Sequence, residues 1–216
     1  MKRNRTWQNH FFNFLSVILG VYLAFLINEK AQEKKERAEV NTFLQSIVTE
    51  LKTDINTFEK YQIPQNEKFQ NQLADLIPLF HKDSTQQLNK ELFVILEIDN
   101  YVPTTAAYSS LKSSGKFNMI QNIHLLEKLS SYYENYAAET EAKSEYQIEF
   151  FSTYLLTWCM QNVDLESFEI TNTDHLQLLK NYIIIYQSLL QQKTNSLYLL
   201  IEQAKALQEE IELEIN

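Results

Sequence analysis

A net charge of −9 over 216 residues, about −12 once the three basic residues of the amino terminus are set aside, argues against nucleic acid as a partner, because neutralising phosphates needs clustered Lys and Arg. Two glycines and three prolines are too few for the turns of a strand-rich fold, so the chain must be built mostly of long helices with few connections. The one cysteine, Cys159, leaves no intrachain disulfide, and between Trp158 and Met160 it reads as a buried structural thiol.

In chain order, the first element is the uncharged stretch from Phe11 to Ile27, which follows the basic start MKRNR. As a helix it rises about 25 Å, slightly short of the roughly 30 Å hydrocarbon core, and Trp7 and Asn28 can complete the span at the interfaces. A cleavable signal would need small residues at its cleavage site, and Tyr22-Leu23-Ala24 and Glu29-Lys30-Ala31 fail that requirement. The stretch is therefore expected to be a retained single-pass anchor. Ser16, Gly20, Ala24 and Asn28 recur every four residues, with Asn13 one turn earlier on nearly the same face. In lipid, close approach at small residues and interhelical hydrogen bonds hold helices together, so this stripe predicts a membrane partner. Lys2, Arg3 and Arg5 precede the span with no acid before Glu29, while the chain beyond is acidic, which points to an amino terminus on the cytoplasmic side of the membrane and the bulk of the chain on the other side.

Beyond the span, NEKAQEKKERAE has no breaker and leads into Val40, Leu44, Ile47, Leu51, Ile55 and Phe58 at helical spacing. One helix from Trp7 to Gln62 is expected, ending where Ile63 precedes Pro64, with the chain then turning back toward the membrane. A second helix spans Gln65 to Phe80 with Pro78 at its end, His81 to Thr85 reads as a turn, and Gln86 to Ile98 as a short helix broken by Asp99 to Pro103. Thr104 or Thr105 is placed to cap the next short helix, and Gly115 to follow its end. An aromatic-rich helix then runs from Asn122 to about Gln161, and Val163, Leu165, Phe168 and Ile170 form the one plausible extended piece. Asp174 is placed to cap the last helix, whose seam is the most regular signal in the chain: Leu176, Leu179, Ile183, Tyr186, Leu190, Lys193, Leu197, Leu200, Ala204, Leu207 and Ile211. Such a seam packs either within a bundle or along a second copy.

Residue types that carry chemistry are scattered. His10, His81, His124 and His175 fall in four elements without zinc spacing, and His124 with Glu127 reverses the di-iron Glu-x-x-His order and reads as a surface pair. Glu141, Glu145 and Glu149 share a helix face that reads as a solvated strip. Twelve tyrosines and thirteen phenylalanines leave room for an aromatic ligand or partner patch, for which Tyr136, Phe150 and Tyr154 are the candidates.

LGVYLAFLINE with its charged helix, and later YSSLKSSGKFNMIQNIHLLEKLSSYYENY, resemble an uncharacterised family of small bacterial single-span membrane proteins with a helical extramembrane domain. Gly20, Ala24 and Asn28 match the first part of that pattern, and Leu111, Ser114, Gly115, Phe117, Ile120, Asn122, Tyr132 and Tyr133 the second. The chain departs from it at Asn13 and Leu26, where members look as if they carry a glutamate and a glutamine. The resemblance implies an anchored helical protein, brings no catalytic residues, and with the charge pattern implies a bacterial inner membrane with the amino terminus cytoplasmic and the bulk periplasmic.

The expected architecture is all-α. Residues 1–28 form the basic amino terminus and transmembrane helix, and 29–216 a helical extramembrane domain in which the continuing long helix packs with two further long helices and several short ones as an elongated bundle or coiled coil. No enzyme chemistry, cofactor or metal is expected. The expected function is a membrane-anchored scaffold or accessory subunit that contacts lipid and either a second copy or another integral membrane protein. The alternative is a sensory or small-ligand-binding module that signals through a partner.

Overall fold

The computed structural model describes residues 3–80, 85–98 and 100–215, the side chains of 3–10 and 85 excepted. The turn expected at His81 to Thr85 and the break at Asp99 therefore lie partly or wholly outside the described residues, as do the side chains of Trp7 and His10. Three long helical stretches run side by side, as the scarcity of Gly and Pro requires.

The first stretch is α1, Arg3–Thr57, which passes through a π turn, Phe58–Gln62, into α2, Ile63–Leu76, and ends in a 3-10 turn, Ile77–Leu79. The expected stop at Pro64 is corrected: the helix continues, and the chain turns back only after Leu79. From Phe11 to Leu79 its 69 residues extend about 105 Å at 1.5 Å per residue. The reason lies in the buried positions. Val40, Leu44, Ile47, Leu51, Asp54 and Phe58 alternate by four and three, then Gln62, Asn66, Phe69, Leu73 and Leu76 follow after three consecutive steps of four. That is one residue more than the strict alternation of four and three allows, and the wider π turn, in which the Ile63 N–H donates to the Phe58 carbonyl, absorbs it. Pro64, which has no N–H to give, stands in the next turn.

The return is made of α3, Thr85–Glu91, a 3-10 turn, Leu92–Leu96, and α4, Ala106–Ser113. Neither Thr104 nor Thr105 caps α4 through its side chain. Instead the Glu50 carboxylate of α1 accepts the Ala107 N–H at 3.0 Å. Gly115 follows α4 with φ 74°, the left-handed conformation that glycine adopts without a Cβ clash. A 3-10 turn, Lys116–Met119, brings the chain to the base of the bundle, where Lys116 pairs with Glu39 and Arg37 donates to Gln121 at 3.1 Å.

The second long stretch covers 123–162: α5, Ile123–Ser131, a π turn, Tyr132–Ala137, α6, Ala138–Phe150, a π turn, Phe151–Leu156, and α7, Thr157–Asn162. Asn122 caps it by accepting the Leu125 N–H at 3.2 Å. A short antiparallel hairpin follows, β1, Val163–Asp164, with β2, Glu169–Ile170, in the register Val163 to Ile170. The third stretch is α8, Leu176–Ile215, whose first N–H is accepted by the Thr173 carbonyl rather than by the Asp174 side chain.

α8 runs antiparallel to both others, as Lys52–Glu212, Lys205–Glu59 and Lys128–Glu210 show at successive levels. The core divides in two. A proximal cluster, nearer the apolar amino-terminal stretch, gathers Leu44, Leu51, Leu125, Leu129, Leu197 and Leu207, and a distal one gathers Leu73, Leu88, Leu155, Trp158, Ile183 and Leu190. Between them lies a polar layer. Gln62 Nε2 donates to Asn66 Oδ1 at 2.9 Å, Asn66 Nδ2 to Thr194 Oγ1 at 3.2 Å, and buried Lys193 to Asn100 Oδ1 at 2.8 Å.

Candidate functional site

The apolar stretch at the amino terminus is packed against nothing. The span window has a mean hydropathy of 2.0 and none of it is buried, so α1 carries a helix long and apolar enough to cross a membrane. On its face, a Cβ built on Gly20 would meet no atom within 4 Å, and the Ser16 hydroxyl turns inward to donate to the Phe12 carbonyl at 2.9 Å. Asn13, Ser16, Gly20, Ala24 and Asn28 all lie open along it. Steps of four residues drift about 40° each around an α-helix, the geometry of a close right-handed crossing with a second helix.

The seam of α8 is occupied inside the chain. Leu179, Ile183, Tyr186, Leu190, Leu197, Leu200, Leu207 and Ile211 are buried between the other two stretches, with Leu176 half-buried at the distal end. Lys193, the charged member, is fully buried in the polar layer. The alternative in which this seam pairs with a second copy is thereby set aside.

The aromatic candidates do not form one patch. Phe150 and Tyr154 sit 4.8 Å apart and pack on Tyr182 and Tyr186, with ring centroids at 5.3 to 6.4 Å, so these rings fill space rather than line a void. Tyr136 packs against the proximal cluster, about 20 Å away along the helix. Glu141, Glu145 and Glu149 are exposed, and His124 lies 3.3 Å from Glu210 rather than on Glu127. Among the described residues no group of three or more His, Cys, Asp or Glu is placed to hold a metal ion.

Two arrangements escaped sequence reasoning. The first is a carboxylate clamp on α1. Asp54, 1% exposed, accepts from the Tyr101 hydroxyl at 3.1 Å, the Thr104 hydroxyl at 2.8 Å and the Thr104 N–H at 2.7 Å. Glu50 sits beside it, its carboxyl held above the usual range by burial and by the Asp54 charge, against the pull of the Ala107 N–H. Behind them Tyr108 stacks on Tyr133 at 4.2 Å, and Tyr132 and Tyr133 are buried without hydroxyl partners, which lifts both far above the usual phenol range. Lys112 and the Tyr108 hydroxyl converge on Glu134, and together they hold its carboxyl low. This cluster ties the return segment to the bundle. Cys159 is buried, and its thiol is pushed up to about 11, which keeps it protonated and unreactive at neutral pH.

The second is a polar groove of about 550 Å³ lined by Gln65, Asn66, Lys68, Phe69, Glu97 and Gln147. Gln147 Nε2 donates to the Tyr186 hydroxyl at 3.0 Å, while its buried Oε1 has no partner. The signal for the groove is weak in sequence because its walls come from three separated segments.

No family model matches the chain, and neither a curated protein nor a solved structure shows significant similarity to it.

Proposed function

We propose that the protein is a single-pass membrane scaffold or accessory subunit, non-enzymatic, with its amino terminus cytoplasmic and its bundle in the periplasm of a bacterial cell. One observation carries this reading: the chain completes its core without the stretch from Phe11 to Ile27, which is left with every large apolar side chain exposed but the half-buried Leu26, and with a small-residue face at Gly20 that nothing fills. Such a helix is stable only in lipid or against another apolar surface. The charged segment from Asn28 to Glu39 then lifts the bundle clear of the headgroups by about 18 Å. The partners in this reading are membrane lipid and a second membrane helix.

Membrane extraction at high pH and protease protection test the anchor and its orientation: the chain stays in the pellet, and the bundle is cleaved only from the periplasmic side. In mild detergent, Gly20→Leu weakens association several-fold, because a branched side chain separates helices that the stripe lets approach. A strict monomer with nothing co-purifying removes the scaffold reading.

The groove supports a second reading, a small-ligand module that signals through a partner. Its unpaired Gln147 Oε1 calls for a hydrogen-bond donor, and the exposed Lys68 and Glu97 on the rim suit a small zwitterion. An amino acid that binds there raises the melting temperature saturably, and Lys68→Ala abolishes the rise. No shift across a panel of the common amino acids rules this reading out.

A further inference from the structure

The inner seam of α8 is filled, yet the same helix carries a second apolar row on its outer side. Leu178, Ile185, Leu199 and Leu213 are 42%, 46%, 53% and 78% exposed, and with exposed Gln192 and Ala206 they recur every seventh residue from one end of α8 to the other. A strict seven-residue row is what a helix presents to a partner wound around it. Asn181, Ser188 and Asn195, three residues on from Leu178, Ile185 and Gln192, form an exposed polar track beside it.

Charge is missing from this face. Between Lys180 and Glu202 the single ionisable side chain other than tyrosine is Lys193, and it points into the core. A run of about 30 Å along α8 itself is thus neutral, with Glu67 of α2 at its edge, where it accepts from the Tyr198 hydroxyl at 2.6 Å. Interface centres are depleted of charge in this way, and two molecules of the same acidic chain meet with least repulsion where neither carries charge.

We propose that the outer face of α8 is a self-association surface on which a second copy of this chain docks, α8 beside α8 and parallel, about a two-fold axis normal to the membrane. Three features select a second copy. Amides and hydroxyls each donate and accept, so Asn181, Ser188, Gln192 and Asn195 are complementary to themselves across a two-fold axis. Two copies anchored in one membrane share a direction, which makes the helices parallel and sets Gln192 against Gln192. A helix pair of this length buries on the order of 1,000 Å² in total, the size of a weak specific interface, which suits a contact strengthened by confinement in the bilayer. Glu202 and Glu209 face their own copies at the lower end, so the tight part of the contact is 178–199.

This inference rests on the anchored-scaffold reading, and the test separates the two. In the full chain, in membranes and with Cys159→Ala, Gln192→Cys gives a disulfide-linked dimer on mild oxidation while Glu145→Cys, on the far helix, does not. Adding Ile185→Lys and Leu199→Lys lowers the cross-linked fraction at least ten-fold and leaves the helical melting curve unchanged, since both side chains are exposed. If Gln192→Cys does not cross-link but the protein is an oligomer that Gly20→Leu dissociates, this inference falls and the scaffold reading stands. If Gln192→Cys links to a different protein, the face is heterotypic and the inference falls. A monomer by every measure overturns both.

Discussion

Replacing Asp54 with alanine lowers the stability of the bundle by about 3 kcal/mol or more, one of the largest losses available to a single polar substitution in this chain. Asp54 is 1% exposed and receives three donors, the hydroxyls of Tyr101 and Thr104 and the Thr104 N–H. An alanine leaves those three donors facing a dry gap, and each buried donor without an acceptor costs about 1–3 kcal/mol. Bonds to a carboxylate are also stronger than neutral ones. Asp54 is the middle of three backbone attachments of the return segment, between the Tyr101 N–H on Gln62 Oε1 at 2.9 Å and the Ala107 N–H on Glu50. For a domain of this size the loss lowers the melting temperature by about 6–12 °C. Circular dichroism of the detergent-solubilised chain measures it. Asp54→Asn loses less, because one oxygen still accepts the two hydroxyls while the amide nitrogen confronts the Thr104 N–H. A shift under 2 °C for the alanine variant would show that Asp54 does not hold the segment.

The clamp illustrates what the sequence conceals. An acid within an apolar series reads as the solvated edge of a helix, and its burial becomes visible only when the return segment from Tyr101 to Ala107 brings donors across. The long helices were legible because breakers are so few, and the inner seam of α8 because Leu179, Ile183, Tyr186 and Leu190 keep the alternation of three and four without interruption. The outer row was not, because a helix with two apolar rows does not say which of them faces in. Packing against the other two helical stretches decided that, leaving Ile185 and Leu199 outside and Ile183 and Leu197 inside. The aromatic patch was misread for a related reason: residues sharing a helix face still lie far apart along its axis, and two π turns within 123–162 change the face they share.

The junction at Pro64 was misread for a different reason, and it yields the second large effect. Deleting Tyr61 costs about 3 kcal/mol in the natural chain and much less when Pro64 is also alanine. Sequence reasoning ended the first helix here because Ile63 precedes Pro64, and the buried Gln62 and Asn66 of the polar layer on either side give no apolar signal to carry the face across. The face in fact continues, with one surplus residue held in the π turn Phe58–Gln62. Tyr61 is 66% exposed, so its removal takes no packing from the core. Without it the turn closes to an ordinary α-helix, and Phe58 and Phe69 keep their directions because the surplus alone has gone. The penalty then falls on Pro64. In a closed α turn its ring meets the carbonyl four residues back, a conflict worth about 3 kcal/mol that the wider turn avoids. Alanine at position 64 removes the ring and restores a donor. Urea unfolding of the four chains, natural, deletion, Pro64→Ala and both together, therefore gives a favourable coupling of 2–3 kcal/mol between the two changes. Equal destabilisation by the deletion with and without Pro64 would mean that the π turn sets the direction of α2 rather than absorbing a residue, and that Phe69, Leu73 and Leu76 have been turned out of the distal core.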